Sequence, residues 1–146
     1  MSETSPWPGD WLRGVLEVCV LRVLADGPTY GYAIATRLGE AGLGALKGGT
    51  LYPLLTRFET AGLVAVEWRA GEGGPGRKYY ALTDDGRRAW QQGAARWVAF
   101  ARLTSDLVTS APAPAPARKH DGEDGPSSSE PHDATGPQPV RDGARR

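Results

Sequence analysis

The chain has 146 residues, and its 17 lysines and arginines balance its 17 aspartates and glutamates to a formal net charge of zero. The length suits one domain. The neutral balance excludes recognition of nucleic acid through bulk positive charge, so any such function must depend on where the basic residues are placed. The single cysteine, Cys19, cannot form a disulfide within the chain, which favours a reducing compartment.

The two ends of the chain differ in composition from the middle. Residues 111–146 hold seven prolines, and Val140 is their only large aliphatic residue, so we expect a disordered tail. Residues 1–9 are expected to be a flexible N-terminus. The chain shows neither a signal-peptide pattern nor an apolar run of about 18 residues. A cytoplasmic protein without a membrane partner is therefore expected.

The first predicted helix begins after Asp10, a residue type that favours the N-cap position. Apolar residues then recur at helical spacing from Leu12 to Leu24. Valines in this run would also suit a strand, but about four turns of pattern exceed the usual strand length. The sequence Asp-Gly-Pro at 26–28 should end the helix.

A second helix is predicted to begin with Thr29 as its cap and to continue to Gly39 or Ala41. Gly42 is the expected stop signal. The residues expected to face the core are Ile34, Leu38 and Ala41.

A third helix is predicted after a short loop over residues 43–49. It opens at Thr50 and ends at Gly62, and Pro53 lies early enough that its missing N–H costs little. The spacing predicts a core face formed by Leu51, Leu54, Leu55 and Phe58.

Two short strands are predicted next. Residues 63–69 alternate, with Val64, Val66 and Trp68 on one face, and residues 77–82 form a second, aromatic-rich run. Four glycines within residues 70–76 predict a mobile hairpin tip rather than a folded element.

The last helix is expected to be capped by Thr83 and Asp84. Trp90 and Trp97 lie seven residues apart and therefore on one face, which a lone terminal helix cannot bury. We expect this face to pair with a second subunit over residues 84–109. The full stripe comprises Trp90, Gly93, Ala94, Trp97, Phe100, Ala101, Thr104 and Val108.

This order of elements predicts a mainly α fold with a small β-hairpin, namely a winged helix-turn-helix domain over residues 10–88. In such a domain the third helix enters the major groove and the hairpin reaches the DNA backbone. Outside its core face the third helix carries short hydroxyls, a phenol and one arginine, and Glu59 is its only acid. The predicted DNA-binding residues are Lys47, Thr50, Tyr52, Pro53, Thr56, Arg57, Arg77 and Lys78.

Four short motifs open the predicted elements: LRG at 12–14, GPTYGY at 27–32, GTLYPLL at 49–55 and RKYYALT at 77–83. Together they resemble the PadR family of transcriptional regulators over roughly residues 12–88. The resemblance implies a cytoplasmic, homodimeric winged-helix repressor that pairs through its C-terminal helix. It also implies binding of an inverted-repeat operator by Tyr52, its neighbours on the third helix and the base of the wing.

Two features bear on how far the resemblance extends. The wing tip carries four glycines and Glu72, with basic residues only at its base, so contact with phosphates is expected rather than insertion into a groove. Some members of the family bind flat aromatic compounds at the dimer centre. By the resemblance, Trp90 and Trp97 are candidate ligand-binding residues, and the alternative is that they form only the dimer core.

An enzyme is not expected. The only histidines, His120 and His132, lie in the predicted tail, which removes the commonest bases and metal ligands from the folded part. Asp84 and Asp85 suit the N-terminus of a helix better than a catalytic pair. Neither a metal nor a cofactor is expected. The remaining alternative is a winged-helix module for protein contacts that does not bind DNA.

Overall fold

The computed structural model describes residues 5–71 and 73–116. All of its elements lie in the first of two compact units, Met1–Ser110, and the described part of the second unit, residues 111–116, has no helix or strand. The predicted tail otherwise lies outside the described residues, so its disorder stays a prediction. The elements in chain order are α1 Gly9–Ala25, β1 Thr29–Tyr30, α2 Gly31–Leu38, a π-helical turn Gly39–Leu43, α3 Gly48–Thr60, β2 Val64–Gly71, β3 Gly74–Leu82 and α4 Asp84–Thr109.

The predicted fold class, mainly α with a small sheet in a winged helix-turn-helix arrangement, is confirmed. The sheet has three antiparallel strands in the order β1-β3-β2, and β1 was not predicted. Thr29 is therefore not a helix cap, because its backbone pairs with Tyr80 while Tyr30 pairs with Tyr79. Tyr30 itself occupies the N-cap position of α2, without a side-chain hydrogen bond.

The prediction that Asp10 caps the first helix is wrong. The carbonyl of Pro8 accepts the first backbone hydrogen bonds, from the N–H groups of Trp11 and Leu12, so Pro8 is the N-cap and α1 begins two residues earlier than predicted. Asp10 lies in the first turn, where a carboxylate interacts favourably with the helix dipole, and it pairs with Arg13.

Residues 1–9 were expected to be flexible, but two residues of this segment form hydrogen bonds with the rest of the fold. The Trp7 Nε1–H donates to the carbonyl of Gly42 at 2.7 Å, and the Ser5 hydroxyl donates to the carbonyl of Leu43 at 2.8 Å. A Cβ at Gly44 would lie 2.6 Å from the Cα of Ser5. Ser5 and Trp7 are thus held against the turn that connects α2 and α3.

The end of the second helix is confirmed in part. Ile34 and Leu38 are buried, and Gly42 adopts a positive φ of 104°, as a stop residue would. Ala41 is exposed, which contradicts its prediction as a core residue. It lies in the π-helical turn, where each residue advances by a smaller angle, so the α-helical spacing from Ile34 and Leu38 no longer applies.

The core forms where α1, α2, α3 and the sheet meet, and all four apolar residues predicted for the third helix are buried in it. Along β2 burial decreases toward the wing: Val64 is buried, Val66 is half-buried and Trp68 is exposed. The core comprises Leu16, Val20, Leu21, Val23, Leu24, Ile34, Leu38, Leu51, Leu54, Leu55, Phe58, Val64 and Tyr80.

The wing is more regular than the glycine-rich sequence predicts. Strand pairing continues to Gly71 and Gly74, past an irregularity between Arg69 and Gly71. Gly73 has a φ of 72°, which glycine adopts at little cost. The prediction that residues 70–76 do not form a folded element is wrong, since residues 70–71 belong to β2 and residues 74–76 to β3. Backbone pairing in a tight hairpin does not require side chains.

The start of α4 is confirmed, since the Thr83 hydroxyl accepts a hydrogen bond from the N–H of Gly86 at 3.0 Å. A Cβ at Gly86 would collide with the carbonyl of Leu63, so this turn needs glycine. α4 packs on α1 where Gly93 faces Val18. Of the predicted stripe, the residues that are half-buried are Trp90, Gly93, Ala94, Trp97 and Ala101, whereas Phe100, Thr104 and Val108 are exposed.

Candidate nucleic-acid interface

One face of α3 is open to solvent because the other face is fully used by the core. Leu51, Leu54, Leu55 and Phe58 are buried, and the intervening positions therefore point outward. The exposed residues include five of the predicted DNA-binding residues, Thr50, Tyr52, Pro53, Thr56 and Arg57. Lys47, also exposed, immediately precedes the helix at its N-cap position.

Tyr52 connects the two helices of the helix-turn-helix. A Cβ at position 31 would lie 2.7 Å from the Tyr52 Cε1 atom, and a Cβ at position 48 would lie 3.4 Å from its ring. A side chain at position 31 would displace the ring from the start of α2. The ring is nevertheless 52% exposed, so its outer edge remains accessible.

An open groove of about 570 Å³ lies between the start of α2, α3 and the base of the wing. It brings together four of the predicted residues: Tyr52, Thr56, Arg77 and Lys78. Lys47, Thr50, Pro53 and Arg57 do not line it. The other lining residues are Tyr30, Gly31, Tyr32, Trp68 and Tyr80.

Two of these lining residues were missed by sequence reasoning although they are among the most exposed aromatics: Tyr32 at 73% and Trp68 at 69%. Alternation placed Trp68 on the same face of its strand as Val64 and Val66, without a predicted role in binding. The strand continues beyond the end of the core, and the same face there borders the groove. For Tyr32 the available signal was its place at the start of the second helix, next to Gly31.

Lys78 forms an ion pair with the one acid of α3. Its Nζ donates to the Glu59 Oε2 at 3.1 Å, and this hydrogen bond raises the pKa of Lys78. This ion pair links α3 to β3. It also offsets the carboxylate that would otherwise repel phosphates at this surface.

A second, more apolar groove of about 670 Å³ lies between α1, the π-helical turn and α4. Trp90 and Trp97, the candidate ligand-binding residues, both line it. The Arg22 guanidinium lies 5.7 Å from the Trp90 ring centroid. Asp26 pairs with Arg22 at 2.9 Å and with Arg37 at 2.6 Å, and these hydrogen bonds lower the pKa of Asp26.

The C-terminal half of α4 carries large apolar side chains that this chain alone leaves exposed. Trp97 and Phe100 contact each other, with ring centroids 5.6 Å apart. The exposed apolar residues of this half are Val98, Phe100, Leu103, Leu107 and Val108.

Within residues 5–71 and 73–116, no helix is long and apolar enough to cross a membrane. The same described residues contain no group of three or more His, Cys, Asp or Glu that could hold a metal ion.

A three-helix domain with a hairpin wing and an exposed third helix defines the winged-helix class. A model of the family described as "Transcriptional regulator PadR-like family" matches residues 20–92. No curated protein matches the chain.

Solved structures of three regulators are similar to this chain. A PadR-like transcriptional regulator from Bacillus cereus is 31% identical, with a TM-score of 0.63, and the match covers 70% of this chain and 100% of the Bacillus cereus chain. A PadR family transcriptional regulator from Eggerthella lenta is 37% identical, with a TM-score of 0.63 and coverage of 70% and 88%. A PadR family transcription regulator from Clostridium difficile is 27% identical, with a TM-score of 0.57 and coverage of 65% and 99%.

The chain therefore belongs to the PadR-like family of transcriptional regulators. Members of this family are regulators and not enzymes, which confirms the expectation for this chain. The family assignment supports a DNA-binding regulator.

Proposed function

We propose that the protein is a cytoplasmic homodimer that represses transcription by binding an inverted-repeat operator with α3 and the wing. The observation that carries this proposal is the exposed polar face of α3, which adjoins a groove bearing Arg77 and Lys78. Hydroxyl groups, a phenol and a guanidinium are the donors that read base edges and hold phosphates. Thr50, Tyr52, Pro53, Thr56 and Arg57 face the bases, and Lys47 and Arg77 face phosphates.

The surface of α4 supports a dimer. Its C-terminal half exposes several large apolar side chains, whereas the packed half ends near Trp97. Burial of this surface against a second copy would remove it from water, and a two-fold axis would place two α3 helices roughly 34 Å apart, one turn of DNA.

Selection of duplexes from a random pool by the purified protein tests the DNA-binding function. We expect enrichment of an inverted repeat whose half-sites lie about one helical turn apart. A winged-helix module used only for protein contacts would enrich no sequence. A reporter gene placed behind the selected repeat tests the sign of regulation, and lower expression in the presence of the protein is expected.

Analytical ultracentrifugation tests the dimer. The wild-type chain is expected to sediment as a dimer at micromolar concentration, and Leu103→Glu should shift it toward the monomer because a carboxylate would be buried at the interface. Gln91→Glu introduces the same charge at an exposed position about 120° around α4 from Leu103 and should leave the dimer intact. A monomeric wild-type protein would contradict this part of the proposal.

The groove beside Trp90 and Trp97 is proposed to bind a planar aromatic effector that weakens operator binding. Its mainly apolar lining and two indole rings suit stacking on such a compound. Tryptophan fluorescence titrated with planar aromatic compounds tests this, with Trp97→Phe as the variant expected to lose most of the quenching. Absence of quenching across a broad panel, with operator binding intact, would mean that both residues serve only the dimer core.

A further inference from the structure

The outer face of the wing sheet carries a ladder of two tyrosines and two arginines. Tyr30 in β1 lies opposite Tyr79 in β3, with ring centroids 5.4 Å apart. The Arg77 guanidinium carbon lies 4.7 Å from the Tyr30 ring centroid, and that of Arg69 lies 4.4 Å from the Tyr79 centroid. Both distances are within the range of cation–π contacts.

Strand register explains why these four side chains meet. Arg69 pairs with Arg77, and Tyr30 pairs with Tyr79, so each arginine reaches the tyrosine diagonally across from it on the same face of the sheet. The unpredicted strand β1 is essential, because it brings Tyr30 beside β3. The rings are half-buried and both arginines are exposed.

A guanidinium that lies on an aromatic ring keeps its N–H donors in its own plane, where they remain available for hydrogen bonds. Arginine binds phosphate through two such donors at once, and a side chain already ordered loses less conformational entropy on binding. Arg77 also borders the groove formed with Tyr52 and Thr56 of α3. Arg69 is additionally 3.4 Å from Glu67, which offsets part of its charge.

We propose that Tyr30 and Tyr79 are positioning residues that hold Arg77 and Arg69 as preordered phosphate clamps, so that the wing grips the DNA backbone with its outer sheet face. This inference rests on the proposed DNA-binding function. It assigns the two tyrosines and Arg69 to a role in binding, and it explains how a wing without basic residues at its tip contacts a duplex.

A double-mutant cycle tests whether Tyr30 acts through Arg77. Affinity is measured by fluorescence anisotropy for Tyr30→Leu, Arg77→Ala and the double variant, on a duplex selected by the wild-type protein and on a scrambled duplex of equal length. Tyr30→Leu should weaken binding about three- to tenfold on both duplexes. In the Arg77→Ala background it should have almost no further effect. Equal losses in both backgrounds would overturn the inference.

Conservative variants separate this role from a merely structural one. Tyr30→Phe keeps the ring and should bind within about twofold of the wild type, whereas Arg77→Lys keeps the charge but loses the planar pair of donors and should bind more weakly. Wild-type affinity for Arg77→Lys would contradict the inference, and this variant does not depend on the folding of Tyr30→Leu. Trp11→Leu removes an exposed aromatic side chain of α1 that lies outside the ladder and serves as the control.

Failure of the DNA-binding function and failure of the positioning role of Tyr30 give different results. If the wild-type protein enriches no duplex from the random pool, the DNA-binding function itself is wrong. If the wild type binds the selected duplex and the cycle is additive, only the positioning role of Tyr30 is wrong. The equivalent cycle for Tyr79 and Arg69 is expected to show a smaller coupling because Glu67 competes for Arg69.

Discussion

Arg57 is the one arginine of α3, and its side chain lies on the exposed face rather than in the groove beside the wing. We therefore expect it to read a base edge. Arg57→Ala should weaken operator binding by about 1–3 kcal/mol and relax the sequence preference at one position. Anisotropy titrations with the operator and with single-position variants measure both effects. Arg88→Ala, at the start of α4, is the control, and equal losses on all duplexes would contradict base readout.

We propose that Lys78 acts on DNA binding through its ion pair with Glu59. The sequence predicts a phosphate clamp, but the side chain is bound to Glu59. Lys78→Ala should weaken binding to all duplexes alike, because it leaves the Glu59 carboxylate facing phosphates. The second change Glu59→Gln should restore much of the affinity. If the double variant binds as weakly as Lys78→Ala, direct phosphate contact by the lysine is the better explanation.

Substitution of Gly31 tests the contact between α2 and α3 at a single residue. Gly31→Ala places a methyl group against the Tyr52 ring and should lower the free energy of unfolding by about 1–3 kcal/mol. Gly14→Ala in α1 meets nothing within 4 Å and should instead stabilise the protein by about 0.5–1 kcal/mol. Urea unfolding of both variants checks this. Equal effects of the two substitutions would mean that the Tyr52 ring yields freely.

At the scale of elements, the long periodic segments were predictable from sequence. The apolar residues of α3 recur at helical spacing over two turns, so the positions that face the core follow directly from the spacing. These residues are Leu51, Leu54, Leu55 and Phe58. The strand β1 was not predictable, because two residues carry no period and form a strand only by pairing with β3. The anchoring of Trp7 on Gly42 was missed for the same reason, since it joins residues 35 positions apart.

The candidate site follows the same division. The exposed positions of α3 could be read from the complement of its core face. The groove could not, because Tyr32, Trp68 and Arg77 come from three elements that only the tertiary fold brings together. The cation–π ladder depends in addition on strand register, which the sequence alone left undetermined.

At the scale of the whole molecule, the composition of residues 111–146 predicts that they contribute little to the folded domain. Removal of these residues should leave the thermal unfolding midpoint nearly unchanged. Differential scanning calorimetry of the full chain and of the chain ending at Ser110 provides the comparison. A decrease of several degrees would show that the tail contributes to the stability of the domain.

The central claim is that two copies of α3, each with its wing, bind the backbone and bases of one duplex. Its most direct test is the affinity for the selected operator measured as the salt concentration is raised. Several phosphate contacts release several counterions, so the logarithm of the affinity should fall linearly and steeply with the logarithm of salt, by roughly 0.9 for each phosphate contacted. An affinity that stays constant over the same range would contradict the DNA-binding account.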